Sequence, residues 1–219
     1  MKKNMSIQMR DFVAGSSWLR AISNDLRDVI LQHAKSTRFD RDALVYEFDD
    51  PPGGIYGVVS GVVAIRVDDS YQAVQYGHLL GKGAWFGEIS AITLAPRKVG
   101  VTVVSDGAVL VSVSLAAIEE IASRSPQLWR ALAGLAAISS ETAIQSARDL
   151  MIRNPRDRCV AVLQRLSSTL GDDQYLPVSQ DELAVMSALS RGSISRILSD
   201  LEANGQIKRG YRSIKLLGL

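Results

Sequence analysis

The chain has 219 residues, 47% of them hydrophobic, and its 25 Lys and Arg nearly balance 23 Asp and Glu for a formal net charge of +2. A chain of that size can bury one large core and one small one, or two of middling size, so two domains are expected. There is no run of eighteen apolar residues, and Met1 to Arg10 carries charge with no apolar stretch behind it. A membrane span and a secretory leader are therefore excluded at this level, and a cytoplasmic location is expected.

The single cysteine, Cys159, excludes an internal disulfide and a cysteine-ligated iron–sulfur cluster within one chain, and reads as a small buried apolar residue. His33 and His78 lie far apart with no metal-ligand spacing, so His78 reads as a satisfied strand histidine and no metal or cofactor is expected.

In chain order, short β-rich runs come first, at residues 44–46, 55–59, 62–67, 73–80, 99–104 and 109–113. They are separated by turn signals: Pro51-Pro52-Gly53-Gly54, Ser60-Gly61, Asp68-Asp69-Ser70, Gly81-Lys82-Gly83 and Ser105-Asp106-Gly107. Near-regular spacing of this kind predicts an antiparallel β-roll. Within it, Gly83 to Ile92 is a glycine-punctuated turn leading into one or two helical turns, whose free backbone N–H groups could hold a phosphate.

A long helix follows. Pro126 suits its first turn, and Asn154-Pro155 stops it after about Arg153, asparagine capping and proline opening the next helix. Leu128, Leu132, Leu135 and Ile138 form an apolar edge among small residues, Ala131, Ala133, Gly134, Ala136 and Ala137. The expectation is a symmetric dimer across this edge, with one side of the helix left to pack on the chain's own β-roll.

The segment from Ser179 to Gly205 predicts two short helices and a tight turn. Ser179 and Glu182 make a capping box, Ser190 offers a second N-cap, and Ile194, Ile197, Leu198 and Leu201 recur at helical spacing. Asn204-Gly205 ends the second helix as a left-handed cap. Its other face carries Arg191, Gly192, Ser193, Ser195, Arg196 and Ser199, a basic and hydroxyl-bearing stripe suited to a major groove. Residues 207–217 then read as two strands around a turn, with Lys208, Arg209, Arg212 and Lys215 as candidate phosphate contacts. From Met186 onward six basic residues face two acidic ones, and such localised charge points to nucleic acid better than net charge does.

Taken together, Ile55 to Val63, Phe86-Gly87-Glu88-Ile89, the long helix and the reader with Ser190-Arg191 and Ser195-Arg196-Ile197-Leu198 resemble the cyclic-AMP receptor protein and fumarate-nitrate regulator (Crp/Fnr) family of bacterial transcription factors. The resemblance covers nearly the whole chain. It implies an α+β fold: a sensor β-roll with flanking helices over 1–125, a dimerisation helix over 126–153 and a winged helix-turn-helix over 154–219. It also implies a ligand pocket around Gly87, Glu88, Ile89, Arg97, Lys98, Thr142 and Ala143. In cyclic-nucleotide-binding relatives the residue matching Glu88 bonds the ribose, and an arginine followed by a hydroxyl residue holds the cyclic phosphate. Here Arg97 is followed by Lys98, and the positions matching a Thr-Ser pair that touches adenine are Ala143 and Ile144, with Thr142 one place off. Both departures argue against cyclic AMP. Many relatives also carry a base-reading glutamate where this chain has Gly192.

The expected function is thus a homodimeric, sequence-specific regulator that binds palindromic double-stranded DNA and performs no catalysis. RNA polymerase and a small-molecule effector are candidate partners, and no membrane is. One alternative is a small-molecule-binding protein whose reader has decayed. An enzyme of the cupin type is the other, and it lacks the histidine cluster that a barrel metal needs.

Overall fold

A computed structural model describes residues 7–67, 76–170 and 175–219. Contacts divide the chain into two compact units, the first taking in the chain up to Val63 together with Leu80–Ser140, the second Ala64–Leu79 and Glu141–Leu219.

In the first unit three helices come before any strand: α1 (Ile7–Gly15), α2 (Ser17–Ala21) and α3 (Asn24–His33). Ser16 and Ser23 start the second and third by accepting from Leu19 N–H and Leu26 N–H. The strands β1 (Lys35–Phe39), β2 (Leu44–Tyr46), β3 (Ile55–Ser60), β6 (Trp85–Phe86), β7 (Gly100–Val103) and β8 (Ala108–Val113) follow, with a short helix α4 (Glu88–Thr93) after β6 and α5 (Leu115–Arg124) after β8. One sheet has the order β1-β8-β3-β6, and β2 pairs antiparallel with β7. The expected β-rich runs are strands. The expected turn at Asp68-Asp69-Ser70 and the first residues of the 73–80 run lie outside the described residues.

Two pieces of the fold carry no sequence pattern. Strand β1, KSTRF, is solvent-exposed over four of its five residues and pairs on one side only, with β8. Polar, basic residues suit an edge strand because they discourage further pairing. Strand β6 is two residues long, held by Tyr56↔Phe86 and Gly57↔Trp85. Gly57 is required there, since a Cβ would stand 2.7 Å from both the Phe12 and the Trp85 rings.

The core of this unit joins Phe12, Trp18, Leu19 and Ile30 from the first helices to Ile55, Val59, Val111 and Val113 from the sheet, with Ile118 and Ile121 from α5. The long helix α6 (Gln127–Met151) adds Leu128, Leu132 and Leu135 to the same cluster. Trp18 Nε1 donates to Ala131 O at 2.7 Å and so ties α2 to α6. Residues expected on a dimer face therefore need correcting. Leu128, Leu132 and Leu135 are at most 2% exposed within the chain's own core, whereas Ile138 is 39% exposed. Three of the four residues of that edge are thus committed to the chain's own core, and Ile138 stays exposed.

The second unit contains most of the strands β4 (Val63–Arg66) and β5 (Tyr76–Leu80), whose outer residues Val63 and Leu80 fall in the first, together with α7 (Pro155–Leu170), α8 (Gln180–Met186), α9 (Arg191–Ala203), β9 (Ile207–Gly210) and β10 (Ser213–Leu216). Asn154 Oδ1 caps α7 by accepting from Arg156 N–H at 2.9 Å, as the Asn-Pro signal requires. The divisions expected at 125/126 and 153/154 differ from this partition. Segment 64–79 groups with the C-terminal residues, and α6 supplies residues to both units.

A buried polar network joins β5 to α6 and α7 within this unit. Arg165 Nε on α7 donates to Asp149 Oδ2 on α6 at 2.6 Å, and its Nη1 meets His78 Nδ1 on β5 at 2.8 Å. A guanidinium can only donate, so Nδ1 accepts and Nε2 carries the proton, facing Thr169 Oγ1 at 3.2 Å. Burial first, then the Arg165 charge, pushes the His78 imidazole down to about 4, against an opposing pull from Asp149. His78 is thus a neutral strand histidine with both ring nitrogens satisfied.

Candidate nucleic-acid interface

The geometry of the second unit presents α9. Ser179 caps α8 through a complete capping box, in which the Glu182 carboxylate accepts from Ser179 N–H at 2.6 Å. The turn passes through Ala188 at φ 49°, and Ser190 caps α9 by accepting from Ser193 N–H at 3.1 Å. Ile194, Leu198 and Leu201 are fully buried and Ile197 is half-buried, so this face of α9 is committed to the core. Asn204 and Gly205 end the helix, Gly205 at φ 68°.

The opposite face is open. Arg191, Gly192, Arg196 and Ser199 are exposed, and Ser193 and Ser195 are half-buried. Nothing lies within 4 Å of where a Cβ on Gly192 would sit. Several of these groups already hold bonds within the chain: Ser199 Oγ donates to Ser195 O at 2.9 Å, and Arg196 Nε to Gly192 O at 3.3 Å. Strands β9 and β10 pair as a hairpin with Ser213 opposite Gly210, leaving Tyr211 and Arg212 at its tip. Tyr211 is 94% exposed. Its sequence signal is an aromatic residue in a two-residue hairpin turn between basic strands.

The wing cations differ from one another. Lys208 is exposed and Lys215 half-buried. Arg209 is held by Glu202: its backbone N–H and Nε donate to the carboxylate at 2.9 and 2.7 Å, and its Nη2 stands 2.6 Å from Oε2. The Arg209 side-chain hydrogen bond holds the Glu202 carboxyl below its ordinary range. Arg212 Nη2 reaches Glu182 Oε1 at 2.9 Å, and Arg191 Nε reaches Asp181 Oδ1 at 3.2 Å.

Of the residues read as a pocket, Arg97 in the first unit is 4% exposed. Its guanidinium donates to Gly87 O at 2.9 Å and Gly54 O at 2.8 Å and lies 4.2 Å over the Tyr46 ring. Tyr46, Tyr56 and Phe86 pack on one another there, and burial pushes the Tyr46 phenol up. Glu88 is buried at 2% exposure at the first turn of α4, whose N-cap Gly87 has φ 95°. Ile89 and Lys98 are exposed. Thr142 and Ala143 belong to the second unit, half-buried and exposed respectively.

Comparison with known families decides what this combination is. Residues 36–125 match the cyclic nucleotide-binding domain, and residues 157–219 match the Crp-like helix-turn-helix domain. The chain belongs to the Crp/Fnr family of transcription regulators. Among relatives, the CRP-like protein Clp of Xanthomonas campestris pv. campestris is 25% identical over 198 residues, 86% of each chain. A solved structure of the c-di-GMP responsive regulator CLP of Xanthomonas campestris superposes with a TM-score of 0.68 at 24% identity, covering 90% of this chain and 100% of that one. FixK2 of Bradyrhizobium japonicum superposes at 0.71 with 22% identity, over 84% and 92%. These two likenesses concern the fold. As a Crp/Fnr member the chain carries the sheet domain, helices and C-terminal helix-turn-helix that its sequence resembled. No described helix is long and apolar enough to cross a membrane.

Proposed function

We propose that this Crp/Fnr protein is a cytoplasmic, homodimeric regulator that reads a palindromic DNA site through α9. The observation that carries the reading is α9 itself: one face buried at Ile194, Leu198 and Leu201, the other presenting Arg191, Ser195 and Arg196 beside a basic hairpin. Arginine can bond a guanine edge bidentately, and serine can donate or accept at any base. Ser193, Ser199, Lys208 and Lys215 are the further candidate contacts, with no catalytic step required.

A dimer supports the reading physically, because one winged helix makes few base contacts while two related by a twofold axis span half-sites one helical turn apart. The exposed face of α6 favours it: Gly134, Ala137 and Ile138 lie outward, and Ile144 and Met151 are 56% and 80% exposed. The effector in this reading is not cyclic AMP. Arg97 already satisfies two carbonyl oxygens and a ring of its own domain, and Lys98 supplies no hydroxyl beside it.

The test is selection of duplex DNA by the purified full-length protein at one stated salt concentration, alone and with cyclic AMP. Recovery of the same palindrome in both conditions supports the proposal. Enrichment only with cyclic AMP overturns the effector reading, and failure to enrich any sequence counts against the DNA reading.

A further inference from the structure

Three arginines expected to touch DNA are paired with carboxylates of the same unit, and the pairs are of two kinds. Arg209 is bound to Glu202 through its backbone N–H and its guanidinium, and its Nη1 also reaches Ser199 Oγ at 3.4 Å. This cluster fastens β9 to α9 and is a structural clamp. Arg191–Asp181 and Arg212–Glu182 are single contacts of 3.2 and 2.9 Å, with the arginine side chains 73% and 52% exposed. The Asp181 side chain is 65% exposed and that of Glu182 14%, so the first pair is open to solvent on both sides and the second on its arginine side, where another anion can displace the carboxylate.

Both carboxylates stand on adjacent residues of the first turn of α8, yet their arginines come from different elements, the start of α9 and the wing tip. Glu182 performs two tasks at once, with Oε2 closing the capping box and Oε1 receiving Arg212. Among the described residues no carboxylate pairs with Arg196, Lys208 or Lys215.

We propose that Asp181 and Glu182 are specificity-determining residues, competing with DNA phosphates for Arg191 and Arg212. This rests on the DNA-reading function proposed above. On random duplex the two arginines stay with their carboxylates and add nothing to phosphate binding. On the cognate site, full seating of α9 and the wing brings phosphates or base edges close enough to take them over. The carboxylates thereby lower affinity for random DNA more than affinity for the site, which widens the ratio between the two.

The experiment measures binding of full-length protein to random-sequence duplex and to the selected palindrome across a salt series. It compares Glu182→Gln, Asp181→Asn and the control Asp200→Asn. Glutamine can still accept from Ser179 N–H, so the capping box survives in Glu182→Gln. Asp200 is exposed on α9, and its substitution changes net charge by the same amount without releasing an arginine.

The expected result is that each α8 variant binds random duplex about two- to fivefold more tightly than wild type. Its log–log salt slope should steepen by up to about one unit, the increment for one added phosphate contact, while affinity for the palindrome changes less. Asp200→Asn should leave the slope unchanged. Equal slopes in all three variants and wild type would overturn the competition while leaving the DNA reader intact. Loss of duplex binding by every protein, wild type included, would overturn both. Thermal melting of each variant separates a binding change from a folding one.

Discussion

Arg165 and Asp149 form an ion pair of 2.6 Å with side chains only 6% and 1% exposed. Such a pair contributes little net stability, because removing two charges from water offsets most of their attraction, but breaking it leaves one charge buried alone. Asp149→Ala is therefore expected to cost about 3–5 kcal/mol, measured by chemical denaturation. Replacing both partners by Leu and Met should cost far less, and equal losses in the single and double variants would contradict this account.

His78 makes the same network sensitive to acid. Its folded-state value near 4 lies below the ordinary histidine value of 6.5, so the fold holds the imidazole neutral. The associated stability is fully present above pH 6.5 and is lost as pH falls from there toward 4. Between pH 7 and 4.5 the expected loss is roughly 2–3 kcal/mol. A His78→Gln variant should show a flatter stability profile across that window, and NMR titration of the ring should find it neutral at pH 5.5.

The two sides of α6 should respond differently to substitution. Leu132 is 0% exposed in the first unit's core, so Leu132→Ala should cost about 2–5 kcal/mol of stability. Ile144 is 56% exposed, so Ile144→Asp should leave folding almost unchanged and weaken self-association. Sedimentation velocity across a concentration series checks the second outcome.

Arg196→Ala should weaken binding to the selected palindrome by about 1–3 kcal/mol, the scale of one bidentate base contact. Random duplex should lose much less. An equal loss on both would assign Arg196 to phosphate.

Nothing lies within 4 Å of where a Cβ on Gly192 would sit, so Gly192→Glu should fold without strain and gain up to about 1 kcal/mol of helix propensity. A carboxylate there can accept from a cytosine amino group. Repeating the DNA selection with this variant should change the preferred half-site at about one base pair.

The helix-turn-helix was legible in the sequence because its signals are local. Ser179, Glu182, Ser190 and Asn154 cap helices through bonds to neighbours two or three residues away, and the Ile194–Leu198–Leu201 spacing shows its face without reference to anything distant. Strand β1 gave no such signal, since KSTRF at a sheet edge has no buried side to alternate against. Nor did β6, whose two residues are held by their partners on β3 alone.

The sequence by itself determined the class of the protein, the caps and faces of its helix-turn-helix, and the departures around Arg97, Ala143 and Gly192, because each depends on which residues stand close together along the chain. Only the tertiary structure decided the partners of charges and apolar edges. Leu128, Leu132 and Leu135 pack into their own domain, Arg209 is committed to Glu202, and His78 is joined to Arg165, 87 positions away. Helical periodicity says that a face is buried, and a basic residue says that an anion will be near it. Which surface and which anion depend on chain segments that folding brings together.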